Sequence, residues 1–309
     1  MPTDSELGLL FGLPAGSRLL ADRYEVIDEA GQGAYSIVYA CRDERLHREV
    51  AIKLGPAPSS DEAAQRRFAR EARMMAEVSD PGTVEVLDYG RLKQSGHPYI
   101  VMERLRGETL RDRMERVGRV DLEPTRDIIG EVLLTLATFH ARGVIHRDLK
   151  PENIFLHRAH ENDLIIKILD FGLARLEDGS NLITGQNERL GTPLYMSPEV
   201  LSFGMPSHRS DLFSVATIAF EMLAGEPPLA KGEDEALLVF MKRAVEGRRR
   251  RLRELILDAP ERLDALLAAA LEVDPTKRPK HAKAFLTELV AATGGSTELR
   301  ATTKSWRLG

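Results

Sequence analysis

The chain has 309 residues, 43% hydrophobic and 29% charged, with a formal net charge of -5 and a pI of about 6.0. That is globular composition for about one to two domains, and its slightly acidic balance excludes a general nucleic-acid binder. One cysteine, Cys41, excludes an internal disulfide, and no apolar run reaches the roughly 18 residues of a membrane helix.

In chain order, the first 23 residues mix Gly, Pro and Leu without a period and read as a loose arm. Asp4 and Glu6 stand where a secretory signal carries basic residues, so a soluble, cytoplasmic chain is expected. Strands are predicted at 24–27, 37–40, 50–54, 84–87 and 99–102. A helix is predicted from about Asp61 to Val78, with Ser59 and Glu62 as a capping box. From Thr109 onward helices dominate. Asp127 to Arg142 carries apolar residues at helical spacing, Ser214 to Ala224 and Arg262 to Glu272 read as buried helices, and Lys280 to Ala292 is amphipathic. The longest apolar run, about Ser214 to Leu223, contains Glu221. A strand-rich first third and a helix-rich remainder imply two lobes, and ligands favour the crevice between such units.

Several short segments carry chemistry. In GQGAYSIV, Gly31 to Val38, two glycines lie between strands, where their backbone can approach a phosphate. Lys53 sits on the apolar strand VAIK, where alternation alone would turn it to solvent. The helix Asp61 to Val78 places Glu71 in one stripe with Phe68 and Met75, and a carboxylate there needs a cation, for which Lys53 is the candidate. VIHRDLKPENIFL, Val144 to Leu156, sets Asp148, Lys150 and Asn153 in a polar loop between two short apolar runs read as strands. Pro151 bars a helix through it. Asp148 can orient an attacking hydroxyl, Lys150 can neutralise a transferring group, and Asn153 can bind a metal. The strand Ile165 to Leu169 ends at Asp170-Phe171-Gly172, where a carboxylate can serve as a hard-oxygen ligand for Mg2+.

Taken together, these motifs resemble the eukaryotic-like serine/threonine protein kinases, a family found in bacteria as well as eukaryotes. The likeness runs over about Tyr24 to Val290. It implies an α+β, bilobal protein kinase fold: an N-lobe at 24–102, a hinge at 103–108, a helical C-lobe at 109–290 and a flexible tail at 291–309. The resemblance assigns Asp148, Lys150, Lys53 and Glu71 to catalysis, and Asn153 and Asp170 to Mg2+, with Mn2+ as a substitute. It sets ATP against Gly31, Gln32, Gly33, Val38, Ala51, Lys53, Met102, Glu103, Leu105, Asn153, Phe155 and Asp170. GTPLYMSPE, Gly191 to Glu199, resembles the substrate segment, Arg278 the partner of Glu199, and Asp211 a buried acid bracing the catalytic loop. Lys150 with Thr192 resembles the serine/threonine pattern.

The sequence departs from the family at Ser36, Ser197, Phe213 and Ala216, which touch packing and not the reacting groups. Arg147 and Arg175 suit a phosphorylated side chain, which makes Thr184, and next Ser180, the expected autophosphorylation sites, reached by self-association in trans. The basic run GRRRRLR, Gly247 to Arg253, reads as a solvated helix end or loop. His140, His146 and His157 do not suggest zinc, and His146 reads as a brace for the loop. The expected partners are ATP and protein substrates, with no nucleic acid and no membrane segment. Two other readings compete: a pseudokinase scaffold, against which Lys53, Asp148, Asn153 and Asp170 stand intact, and a small-molecule phosphotransferase, against which the substrate segment and Arg278 argue.

Overall fold

A computed structural model describes residues 12–32, 36–55, 62–78, 80–93, 95–160, 163–170, 193–232, 234–247 and 249–295. The chain divides into two compact units, the first reaching Arg106 and the second taking Asp80–Gly82 and the described residues from Gly107 on.

The first unit is a six-stranded antiparallel sheet with one helix. Its strands are β1 (Arg18–Leu19), β2 (Tyr24–Gln32), β3 (Ile37–Asp43), β4 (Arg48–Leu54), β5 (Val86–Arg91) and β6 (Pro98–Glu103), in the order β1-β2-β3-β4-β6-β5. Alternation fixes what each face carries. Tyr39 pairs with Ile52 and Ile52 with Val101, while Ile37 meets Leu54 and Cys41 meets Val50; these residues share the main core with Tyr24 and Val26. On the other face Val38 opposes Lys53 and Ala51 opposes Met102. Helix α1 (Glu62–Glu77) packs against this second face, with Phe68 and Ala72 on Ile100, the cross-strand partner of Lys53. The segment before Tyr24 is not a loose arm from Gly12 on. Leu13 and Leu20 pack on the core and the Leu13 N–H donates to the Tyr39 hydroxyl at 3.2 Å. Its apolar residues are too few and irregular to show a period, yet they complete the sheet edge.

His97, in the turn before β6, is buried with neither ring nitrogen hydrogen-bonded among the described residues. Burial holds its pKa below the ordinary 6.5, because the charged form is penalised. The unfolded chain therefore takes up a proton near pH 6.5 that the folded unit resists, and stability falls as pH drops through that range. His97→Leu is expected to flatten this acid limb in urea unfolding measured from pH 7.5 to 5; an unchanged slope would remove His97 as its source.

The second unit begins with β7 (Gly107–Thr109), which joins β8 (Ile154–His160) and β9 (Asp163–Ile168) in a three-stranded sheet. Gly107, at φ +140°, lies so close to the Leu156 carbonyl that a Cβ would collide with it. The helices are α2 (Leu110–Val117), α3 (Leu122–His140), α4 (Pro198–Phe203), α5 (His208–Ala224), α6 (Leu237–Glu246), α7 (Leu252–Leu255), α8 (Glu261–Ala270) and α9 (Ala282–Thr293). Every residue of α5 from Ser210 to Ala224 is buried, so it is the central helix, enclosed on all sides. Val144 and Ile145 form no strand, contrary to expectation, and α3 starts five residues before the predicted helix because Pro124 is tolerated in its first turn.

The basic run is the loop after α6 that the sequence reading allows, exposed at Arg251 and Arg253, and its described arginines find partners within the unit. Arg249 donates to the Ala244 and Gly247 carbonyls at the end of α6 and lies 4.8 Å from the Phe213 ring centre. Burial, with the nearby Arg278 charge, lowers its pKa to about 10. Arg250 pairs with Glu226 and Arg251 with Asp264. The run supplies helix caps and ion pairs to its own unit.

Candidate active site

The polar loop predicted from Val144 to Leu156 is held from below by α5. Asp211, buried at the start of that helix, accepts the His146 N–H at 2.9 Å and the Arg147 N–H at 3.0 Å. His140, at the end of α3, donates from Nε2 to the same carboxylate at 2.8 Å. These bonds hold Arg147 at φ +71°, a left-handed conformation that costs a non-glycine residue on the order of 1 kcal/mol or more. The reversal redirects the chain just before Asp148.

His146 is fully buried. Its Nδ1 accepts the Asp148 N–H at 3.4 Å, so Nε2 carries the proton and donates to the Leu169 carbonyl at 3.0 Å. The imidazole thus ties the loop to the strand end that precedes Asp170, as the sequence reading of His146 expected. The Leu169 N–H donates to the Asn153 carbonyl at 2.8 Å, which brings Asp170 alongside Asn153. Asp170 is itself exposed and at φ +37°.

Within this frame Asp148, Lys150 and Asn153 meet. Lys150 Nζ lies 3.2 Å from the Asp148 carboxylate. Asn153, in the 3-10 turn Pro151–Asn153, donates from Nδ2 to the Asp148 carbonyl at 2.7 Å and to its carboxylate at 3.3 Å. Its amide nitrogen is therefore committed to Asp148, and its Oδ1 accepts nothing among the described residues. Asn153 Oδ1 and the Asp170 carboxylate form a small hard-oxygen donor set. That set suits Mg2+, which takes few protein ligands and completes its shell with water and phosphate.

In the first unit, Val38, Ala51, Lys53 and Met102 share the second sheet face. Lys53 is only 7% exposed, against the solvent orientation that alternation alone allows. Glu103 ends β6, with Leu105 following, and Gly31 and Gln32 end β2. Phe155 belongs to the second unit, on β8 opposite Thr109. Several predicted positions lie outside the described residues: Gly33, the Ser59 cap, the Glu71 side chain, Phe171, Gly172, Arg175, Ser180, Thr184, Gly191 and Thr192.

The segment from Pro193 to Glu199 is anchored twice. Arg278 pairs both its terminal nitrogens with Glu199 at 2.8 and 2.7 Å. Burial acts to raise the Glu199 carboxyl, but the bonds from Arg278 and Ser210 outweigh it and hold its pKa below the ordinary value. The second anchor escaped the sequence reading. Arg111 on α2 bridges Glu221 at 3.1 Å and Glu152 at 3.3 Å, and it also hydrogen-bonds the Tyr195 hydroxyl, which donates to Glu221 at 2.5 Å. This network joins α2, the turn after Lys150, the segment bearing Tyr195 and α5. Its signal was present in Glu221, a carboxylate inside an otherwise apolar helix, which demands a buried cation.

The family model described as "Protein kinase domain" matches residues 24–290. Serine/threonine-protein kinase PknB of Mycobacterium tuberculosis is 34% identical over 280 residues, 89% of this chain and 44% of PknB. Serine/threonine-protein kinase Pkn3 of Myxococcus xanthus is 34% identical over 282 residues, 89% of this chain and 50% of Pkn3. The chain thus spans half or less of the length of these curated relatives. The crystal structure of the Mycobacterium tuberculosis PknI kinase domain superposes with a TM-score of 0.68 at 24% identity, covering 91% of this chain and all of that one.

Proposed function

The chain belongs to the protein kinase domain family, and from that premise we propose that it transfers the γ-phosphoryl group of ATP to serine or threonine hydroxyls of proteins. The observation that carries this reading is the braced loop, in which Asp148, Lys150 and Asn153 converge on one point. Asp148 orients the acceptor hydroxyl and receives its proton. Lys150 stays beside that carboxylate and donates to the oxygens of the group in transfer. Asn153 locks Asp148 through Nδ2, and with Asp170 it would hold Mg2+, which when bound neutralises charge on the phosphate oxygens. Such chemistry is positioning plus electrostatic stabilisation. Lys53 takes the phosphate-positioning role, with Glu71 as its proposed partner, and Gly31, Gln32, Gly33, Val38, Ala51, Met102, Glu103, Leu105 and Phe155 take the nucleotide.

The serine/threonine preference is supported by Lys150 and Thr192 and by the names of the curated relatives. Thr184 and Ser180 are proposed as autophosphorylation sites, reached in trans. A cytoplasmic setting is proposed from the single buried, free cysteine; among the described residues no helix is long and apolar enough to cross a membrane. The test is incubation with Mg2+ and labelled ATP, alone and with a generic acceptor protein, followed by phosphosite mapping. Label on serine or threonine is expected. Its absence from both chain and acceptor, with nucleotide still bound, would leave the scaffold reading standing.

A further inference from the structure

Helices α8 and α9 of the second unit leave between them an open groove that the proposed chemistry does not use. It measures about 350 Å³ and is lined by the buried Leu266 and by the small side chains of Ala265 on α8 and Ala291 and Ala292 on α9. Arg262 and Glu288, both exposed, are its charged residues. Small-ligand pockets run from roughly 300 to 1,000 Å³, so the groove is large enough for one aromatic side chain.

The last turn of α9 borders this groove, and the structure fixes where the chain leaves that helix. The Gly294 carbonyl accepts from Arg126 at 3.0 Å, and the Arg126 guanidinium lies so close to Gly295, at φ +113°, that a Cβ there would meet it at 2.9 Å. Residues 296–309, STELRATTKSWRLG, follow and lie outside the described residues. They include Trp306, the single tryptophan of the chain, whose indole is a large apolar body that gains by leaving water. Trp306 stands 11 residues beyond Gly295. That stretch spans up to about 36 Å, against about 15 Å for the whole of α8, so the indole can reach any part of the groove. The charges match as well: Arg307, next to the indole, complements Glu288, and Glu298 complements Arg262. A tether this short gives an effective concentration in the millimolar range, which favours the chain's own tail over a second copy at micromolar concentration. We propose that residues 296–309 fold back along α8 and α9 and seat Trp306 in this groove.

Because the chain has one tryptophan, its intrinsic fluorescence reads this contact alone. Emission of the full chain is expected at shorter wavelength than that of a free peptide of residues 296–309, with acrylamide quenching several-fold weaker. Ala265 and Ala291 are exposed, and lysine is a good helix former, so Ala265→Lys and Ala291→Lys should fold while placing a long cation in the groove. Each is expected to return emission and quenching to the values of the peptide, with far-ultraviolet circular dichroism unchanged. Arg307→Glu alters the tail and no helix, and it should weaken the protection by setting an acid against Glu288. Wild-type emission equal to that of the peptide would overturn the proposal, and so would protection that survives both lysine variants. Should the lysine variants lose helix, undiminished protection in Arg307→Glu would overturn it instead. Protection that fades on dilution through the micromolar range would assign the indole to a second copy and overturn the intramolecular contact. No readout here uses catalysis, so the outcome is independent of the kinase reading.

Discussion

Asp148→Asn is expected to lower phosphoryl transfer roughly 10²- to 10⁴-fold, the span of a positioned general base. The substitution keeps the shape of the side chain and removes its charge and basicity. The Asn153 Nδ2 bond to the Asp148 backbone carbonyl at 2.7 Å does not involve the altered group, so the turn survives. The Asp211 bonds to the His146 and Arg147 N–H groups survive as well. Nucleotide affinity, read by titration with a fluorescent ATP analogue, is therefore expected to stay within a few-fold of wild type, and the loss should fall on kcat. A rate within tenfold of wild type would take Asp148 out of the acceptor-orienting role. A large loss of nucleotide affinity would mean that the loop had collapsed, and the rate could then not be assigned to chemistry.

Arg278→Met is expected to cost about 3–5 kcal/mol of unfolding free energy, which corresponds to roughly 6–20 °C in Tm for a unit of this size. The Arg278 side chain is fully buried and every nitrogen is used. Nε donates to the Glu272 carbonyl, and the two terminal nitrogens reach Glu199 and also the Arg209 and Val273 carbonyls. Its guanidinium lies 4.9 Å from the Phe213 ring centre. Methionine replaces the stem and leaves the Glu199 carboxylate with only Ser210 and its own backbone N–H among the bonds that lower its pKa. The sign with pH follows. Glu199 has its pKa lowered when folded, so it contributes stability above its unfolded value of about 4.5 that is lost as pH falls through the folded one. Arg278→Met should therefore lose most stability near neutrality and approach wild type in acid. Differential scanning calorimetry across pH reads both effects, and a uniform Tm drop at every pH would assign the loss to packing and not to the ion pair.

Arg278→Lys should recover only part of the loss. An ammonium group keeps the charge but cannot make two parallel bonds to a carboxylate while serving three carbonyls.

Much of the molecule is legible in the residues themselves. The strands at Tyr24, Ile37, Val50 and Tyr99 declare themselves by β-branched and aromatic runs, and α5 by an apolar run too long for a strand. Short elements did not. β1 and β7 have two and three residues, too few for a period to show, and they exist because a neighbouring strand offers them partners. Val144 and Ile145 have strand composition but no strand to pair with.

The sequence by itself determined the two-unit α+β plan, the order of the motifs and the chemical types at Lys53, Asp148, Lys150, Asn153 and Asp170. Those follow from local periodicity and from residue types within a few positions of one another. Only the tertiary structure decided that Lys53 is buried, that the Asp211 carboxylate takes a bond from His140 as well as from the His146 and Arg147 N–H groups, and that Arg111 clamps Glu152, Tyr195 and Glu221. It also gave Arg249 the end of α6 to cap, and Arg250 and Arg251 acids of their own unit to pair with. The reason is physical. A charge shows its sign in the sequence, but its cost and its partner are set by burial, and burial is decided when segments far apart in the chain pack together.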